Sequence, residues 1–408
     1  MNFTFSKRAR TMSMALMVLG LVLAAVGFFS VKSHDPENAG QNFWAALFIN
    51  GFYFFGIALG ALFFYALQFA TESSWSVLVR RVYEGIYSYL PIGAAVIVLC
   101  LLAGQFHLGG NHIWHWMDHR VFDPAEKDHY DPIIAGKSAY LNAPFFWIRA
   151  VAFIGTFLFA ANWFRKQSLK MDQLSGTDLR TQHLLTYRRS ALFLVLFAVF
   201  SSVLAWDWLM SIDTHWFSTL YGWYVFAGMW CSAMVTSVIV VLYLKSKGYL
   251  PQVNNSHIHD MGKWVFATSF LWTYLWFSQF MLYWYANIPE EVAYAKVRID
   301  HHPLLMWGMF FVNFAVPMVL LMSRDAKRNP RFLIGVGTVI FIGHWLDLCQ
   351  MVLPGALGEH FHQVGALEIG LMLFFLGLFV MTVLSALTKA PLTVVNSPYL
   401  EESVHHSI

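Results

Sequence analysis

The sequence predicts an all-α, polytopic membrane protein with ten transmembrane helices. Three observations carry this prediction. Of 408 residues, 58% are hydrophobic and 18% aromatic, while 12% are charged, a balance foreign to soluble domains. The apolar residues fall into runs long enough to cross a hydrocarbon core of roughly 30 Å at about 1.5 Å per residue. The Lys and Arg residues between the runs alternate between rich and poor connections. The net charge of +3 is too small to point to nucleic acid.

The spans fall at 12–31, 43–70, 85–105, 144–165, 190–210, 217–244, 262–288, 303–323, 332–353 and 364–387. The first run lacks a small-residue cleavage site and reads as a retained helix rather than a signal peptide. Spans five and nine share an echo: Ala205-Trp206-Asp207-Trp208 and His344-Trp345-Leu346-Asp347 each set an Asp beside a Trp, four spans apart. Duplication would produce this, giving one four-helix bundle over 43–210 (spans 2–5) and a second over 217–353 (spans 6–9), flanked by spans 1 and 10. Chance in a Trp-rich chain would also produce it. Pro91 and Pro317 are the main candidates for span interruptions. The tail over 389–408 reads as extended and free to dock elsewhere.

An even span count puts both termini on one side, and the basic residues choose it. Nineteen Lys and Arg residues lie in the N-terminal tail, the even-to-odd connections and the C-terminal tail, from Lys7 through Arg80, Arg81, Arg165, Arg189 and Arg331 to Lys389. Six lie opposite: Lys32, Arg120, Lys127, Lys137, Lys296 and Arg298. The positive-inside rule therefore places both termini on the cytoplasmic side. The basic connection 166–189 reads as a solvated face near anionic lipid. The longest outer loop, 106–143, carries His107, His112, His115, His119 and His129. Three of these have helical spacing without a clear fourth ligand, so partner contacts are expected there rather than metal.

The stretch Trp264–Glu291, span seven with the residues just after it, is the most informative. At about 100° per residue, Thr268, Gln279, Tyr283, Asn287 and Glu290 share one helical face, with Trp272 and Trp276 nearby. A polar stripe in lipid must face other helices or water. It is either a packing face with a satisfied Gln or the wall of a proton or quinol site. Pro289 is expected to end the helix just before Glu290 and Glu291.

Few ionisable residues fall inside the spans: Arg149, Asp207, His344, Asp347 and Glu368. All but the more central His344 map to the outer half. His344 and Asp347, three apart, are neighbours on one helix face, and a His beside a carboxylate can exchange protons near neutral pH. A structural network, with Arg149 pairing one carboxylate, is the alternative. The inner half offers only weaker groups such as Ser201, Ser202, Ser232, Thr236, Thr268 and Thr273, which suggests a proton path open to the outside. With one deep histidine, a membrane b-haem is not expected. His301-His302 stands at a span boundary without further ligands for copper. Cys100, Cys231 and Cys349 show no CxxC spacing and read as buried small hydrophobes. No nucleotide-binding motif is present.

Two long stretches, Asp207–Gly222 (DWLMSIDTHWFSTLYG) and Phe277–Glu291 (FSQFMLYWYANIPEE), together with the span count, resemble the NrfD/PsrC-like membrane subunits of alternative complex III, a quinol:cytochrome c oxidoreductase. The two stretches are long and unusual, and the span count covers the whole chain. The resemblance implies two four-helix bundles and partner subunits: a multihaem cytochrome c, a large iron–sulfur and molybdopterin-like subunit, an ActC-like paralogue, small anchors and a terminal oxidase in some complexes. It places haem and iron–sulfur in those partners and menaquinol or ubiquinol at the outer membrane surface. Asp207, Asp213, His215, Gln279, Glu290 and Glu291 lie in the shared stretches. Tyr283 lies there too. The function expected is that of a respiratory membrane subunit without its own redox metal, contributing a proton path and a quinone-proximal surface. A secondary transporter and a purely structural anchor are the competing expectations.

Overall fold

The computed structural model describes residues 3–361 and 363–407, and among them every regular element is helical. The helices are α1 (Lys7–His34), α2 (Ala39–Ala70), α3 (Arg80–Tyr87), α4 (Leu90–Gln105), α5 (Pro132–Gly136), α6 (Ala143–Met171), α7 (Gly176–Trp208), α8 (Tyr221–Ser246), α9 (Asn255–Ala286), α10 (Pro289–His301), α11 (Pro303–Leu320), α12 (Arg324–Arg328), α13 (Pro330–Leu357), α14 (Ala366–Leu387) and α15 (Leu400–Val404). Nine helical segments among the described residues are long and apolar enough to cross a membrane, and the protein is accordingly a multi-pass membrane protein. The expected seventh span forms as one 32-residue helix, α9, but is not among the nine. Its Thr, Ser, Gln, Trp and Tyr residues dilute the apolar run.

Helix α2 is the axis of the molecule. Its apolar residues leave no polar face, and Phe48 through Phe69 are almost wholly buried, as expected of a helix hydrophobic all round. It packs against α4 and α7, members of the expected first bundle, and also against α8 and α13 of the second. At the edge α1 lies along α14. Small residues allow this approach: a Cβ on Gly20 would stand 2.4 Å from the Phe374 amide nitrogen, and one on Gly370 2.3 Å from that of Ala24. Such glycine contacts bring membrane helices to backbone distance.

Two expectations about boundaries are corrected. Pro289 does not end span seven. Asn287 ends it in the left-handed conformation (φ 49°), and Pro289 opens α10, where its missing N–H costs nothing. Asn287 and Glu290 are consequently exposed and leave the polar stripe, whereas Thr268, Gln279 and Tyr283 are buried. Pro91 lies at the start of α4 rather than inside a helix, while Pro317 and Pro354 are internal to α11 and α13.

The C-terminal segment docks on its own chain rather than elsewhere. Asn396 Nδ2 donates to the carbonyls of Asp172 and Leu174 at 3.0 Å, the Tyr399 hydroxyl to Glu72 at 3.0 Å and Ser403 to the Trp75 carbonyl at 3.2 Å. His406 meets Asp260 at 2.6 Å. The N-terminal segment reaches the same face, where Thr4 meets the Tyr249 hydroxyl at 2.9 Å. One end of the molecule is thus a tail face; the opposite end, with the connection 106–142 and helix α10, is a loop face. Residue 408 of the expected tail lies outside the described residues.

Candidate functional site

A cavity of about 750 Å³ opens on the loop face, walled by the connection after α7, by α10 and by the end of α13. Asp213, His215 and Glu290 line it, as do His115, His301 and Glu359. Its wall is built on Arg298. Pro354 has no N–H, so the Gln350 carbonyl one turn earlier lacks its helical donor. Arg298 Nε donates to that carbonyl at 3.1 Å, and its terminal nitrogens donate to the carbonyls of Met351 and Tyr294 at 3.0 Å and to Asp213 at 2.8 Å. The guanidinium lies 3.4 Å from the Tyr294 ring centre, and Trp216 stacks on the other part of this wall at 3.9 Å from Tyr294. Burial pushes the Tyr294 phenol up to about 12. Gly355 keeps room for the ion pair, because a Cβ there would meet the Asp213 carboxylate at 2.7 Å.

His215 stands at the rim with Nε2 at 2.5 Å from Asp131. Asp131 also caps α5, accepting from the amides of Ile133 and Ile134 at 2.9 and 3.1 Å. Burial opposes ionisation of Asp131, but these amides and the His215 ring outweigh it and hold the carboxyl below its usual range. Glu291 contributes only its backbone here, its carbonyl accepting from the Trp216 indole at 3.1 Å.

The two echo aspartates prove unlike. Asp207 is fully buried and held by Arg149, with Nε at 2.6 Å and the second nitrogen at 3.0 Å, and by the Tyr140 hydroxyl at 2.8 Å. Arg149 is itself clamped over the rings of Tyr140 and Phe145 at 4.0 and 4.2 Å. This is the ion pair expected for Arg149. Asp347 is equally buried, yet among the described residues it has no ion pair. It accepts from the Tyr224 hydroxyl and, at 2.9 Å, from the Trp272 indole.

One turn from Asp347, His344 is buried with neither ring nitrogen bonded to any described residue. Its ring sits edge-on to Trp272 at 5.3 Å. His344 and Asp347 line a cavity of about 30 Å³ between α2, α8 and α13, beside Ser232, whose hydroxyl oxygen is also unsatisfied among the described residues. Roughly 10–15 Å³ accommodates a water molecule, so the space matches one or two. His344, Asp347, Met351 and Gly355 follow at spacings of three and four and so share one face of α13. The first three line the small cavity and Gly355 the large one.

The remaining candidates do not join this line. Glu368 is buried in the first turn of α14 and accepts from the Gly365 amide at 2.8 Å, satisfying one free donor at that helix start. Gln279 is buried with its side-chain oxygen unpartnered, and Tyr283 packs on Phe280.

Just outside the expected third span, the tail-side end also holds a buried charged cluster. Glu84, almost wholly buried, accepts from Arg81 at 2.9 Å and Ser168 at 2.5 Å and pairs with Arg165; Arg81 also pairs with Asp172. The Arg81–Glu84 spacing of three is a legible signal for part of this cluster. Arg298, counted from sequence only as a loop charge, had one signal: Pro354 implies a free carbonyl at Gln350. Tyr224 carried none.

No family model matches this chain, and no curated protein sequence matches it. Fold and site define a multi-pass helical membrane protein with a buried aspartate that has no cation among the described residues, aligned beneath an open cavity on one face.

Proposed function

We propose that the chain is the membrane subunit of a respiratory quinol-oxidising complex, an ActF-type member of the NrfD/PsrC-like subunits of alternative complex III, and that it conducts protons. In this reading α9 is a tenth crossing, the tail face is cytoplasmic, and the loop face lies outside the bacterial inner membrane beneath the haem and iron–sulfur partners. Quinol oxidation releases two protons and two electrons. The electrons leave through the partners' cofactors. Protons enter the polar cavity beside His215 and Asp213 and exchange with Asp347 and His344.

The observation that supports this most is the alignment of Gly355, Met351, Asp347 and His344 on one face of α13, leading from the open cavity to a buried carboxylate with no cation among the described residues. General acid–base work requires such a group, able to change protonation state without breaking an ion pair. The helix break between α9 and α10 beside the cavity favours a second reading, a secondary transporter. Mild-detergent purification with a haem spectrum and mass spectrometry separates the two. A co-purifying c-type cytochrome and large iron–sulfur subunit are expected; a colourless solitary chain would contradict the respiratory reading.

A further inference from the structure

A second, apolar cleft of about 330 Å³ runs between α6 and α7, far from the line along α13. We propose that it holds one anionic phospholipid, with the phosphate at Arg189 and an acyl chain along the cleft. The order of residues along α7 is the first reason. Arg189 is the last charge before Asp207, and the residues between them are mostly apolar. On antiparallel α6, Trp163 stands just before Arg165 and Lys166. Arg189 and Trp163 therefore share the tail-side mouth of the cleft, where apolar helix gives way to charged helix. That is the depth at which indoles and lipid phosphates gather.

The second reason is charge. Arg189 lines the cleft, and no ion pair or hydrogen bond to it is seen among the described residues. Arg165 nearby is already taken by Glu84. Lys166 and Arg188 are exposed beside the mouth. Arg189 is exposed like them, so the mouth presents three accessible cations to an anion at the membrane surface.

The third reason is size. From Leu185 to Leu196 the α7 wall is about 16 Å long, and its far part, Leu192 and Leu196, is apolar and open to the side. A transmembrane helix about 10 Å wide would occupy roughly 1,200 Å³ over that length, several times the volume available. An acyl chain is slender enough. Ala160 lines the cleft opposite Leu192, and its small side chain leaves the channel clear.

Native mass spectrometry of the full chain, exchanged into nanodiscs of equal phosphatidylglycerol and phosphatidylcholine, tests this. One retained phospholipid is expected, enriched about fivefold in the anionic species, the preference one basic residue confers at a membrane surface. Arg189→Gln should bring the ratio close to one. Ala160→Phe, which fills the cleft, should lose the bound lipid while helical circular dichroism is unchanged. Equal retention of both lipids by the wild type, an unaltered preference in Arg189→Gln, or unaltered retention in Ala160→Phe would each overturn the proposal. So would a photo-crosslinker at Leu192 that captures a protein helix instead of phospholipid.

Discussion

Asp207 and Asp347 occupy matching places in the sequence, each beside a Trp, yet they do opposite things with a buried charge. Asp207 is locked by a two-point contact with Arg149 and a third bond from Tyr140. Among the described residues Asp347 has only the neutral donors Tyr224 and Trp272. A buried carboxylate with a cation is fixed in charge, because protonating it strands the cation. One with neutral donors can gain or lose a proton without leaving a partner charge behind. The difference teaches that position in the membrane does not assign a role; the partner does.

The sharpest way to break this contrast is to remove the cation. Arg149→Met leaves Asp207 buried and unpaired, and a loss of about 3–5 kcal/mol is expected, read as reduced thermal stability in detergent. Adding Asp207→Asn should recover much of it. If Arg149→Met is as stable as the parent, the pair is not the lock described.

Asp347→Asn should behave differently. No cation is stranded, so under the proposed quinol-oxidising role assembly and haem content of the complex are expected to persist while quinol-driven turnover falls about 10²-fold, the scale of a lost acid–base group. Normal turnover with normal proton release would remove Asp347 from the mechanism. Tyr224→Phe removes one of its two donors and should cost about 1–3 kcal/mol, measured by the same thermal assay.

The smallest effect concerns the rim. The folded-state pKa of Asp131 lies below its unfolded value near 3.8. Its contribution to α5 is therefore complete above that value and fades as pH falls through the folded one. Amide exchange at Ile133 and Ile134 should accelerate only at that acid end, and Asp131→Asn, which can still cap, should not show the acid step.

The helices were legible because apolar runs and Lys/Arg bias are one-dimensional signals. The Arg149–Asp207 pair was half legible, since a buried Arg needs an anion and few were present. Separating Asp207 from Asp347 was not, because the partner Tyr224 lies over one hundred residues from Asp347 and tyrosines are frequent here. Glu290 and Asn287 were misplaced because periodicity was carried through Asn287, whose left-handed backbone breaks the helix. Glu84 stands just outside the expected third span, where the sequence alone does not distinguish a buried charge from an interfacial one.

The most direct test is infrared difference spectroscopy of the assembled complex between quinol-reduced and oxidised states. A carboxyl band that changes with turnover, is absent in Asp347→Asn and persists in Asp207→Asn is predicted. A band that survives Asp347→Asn and disappears in Asp207→Asn would contradict the account.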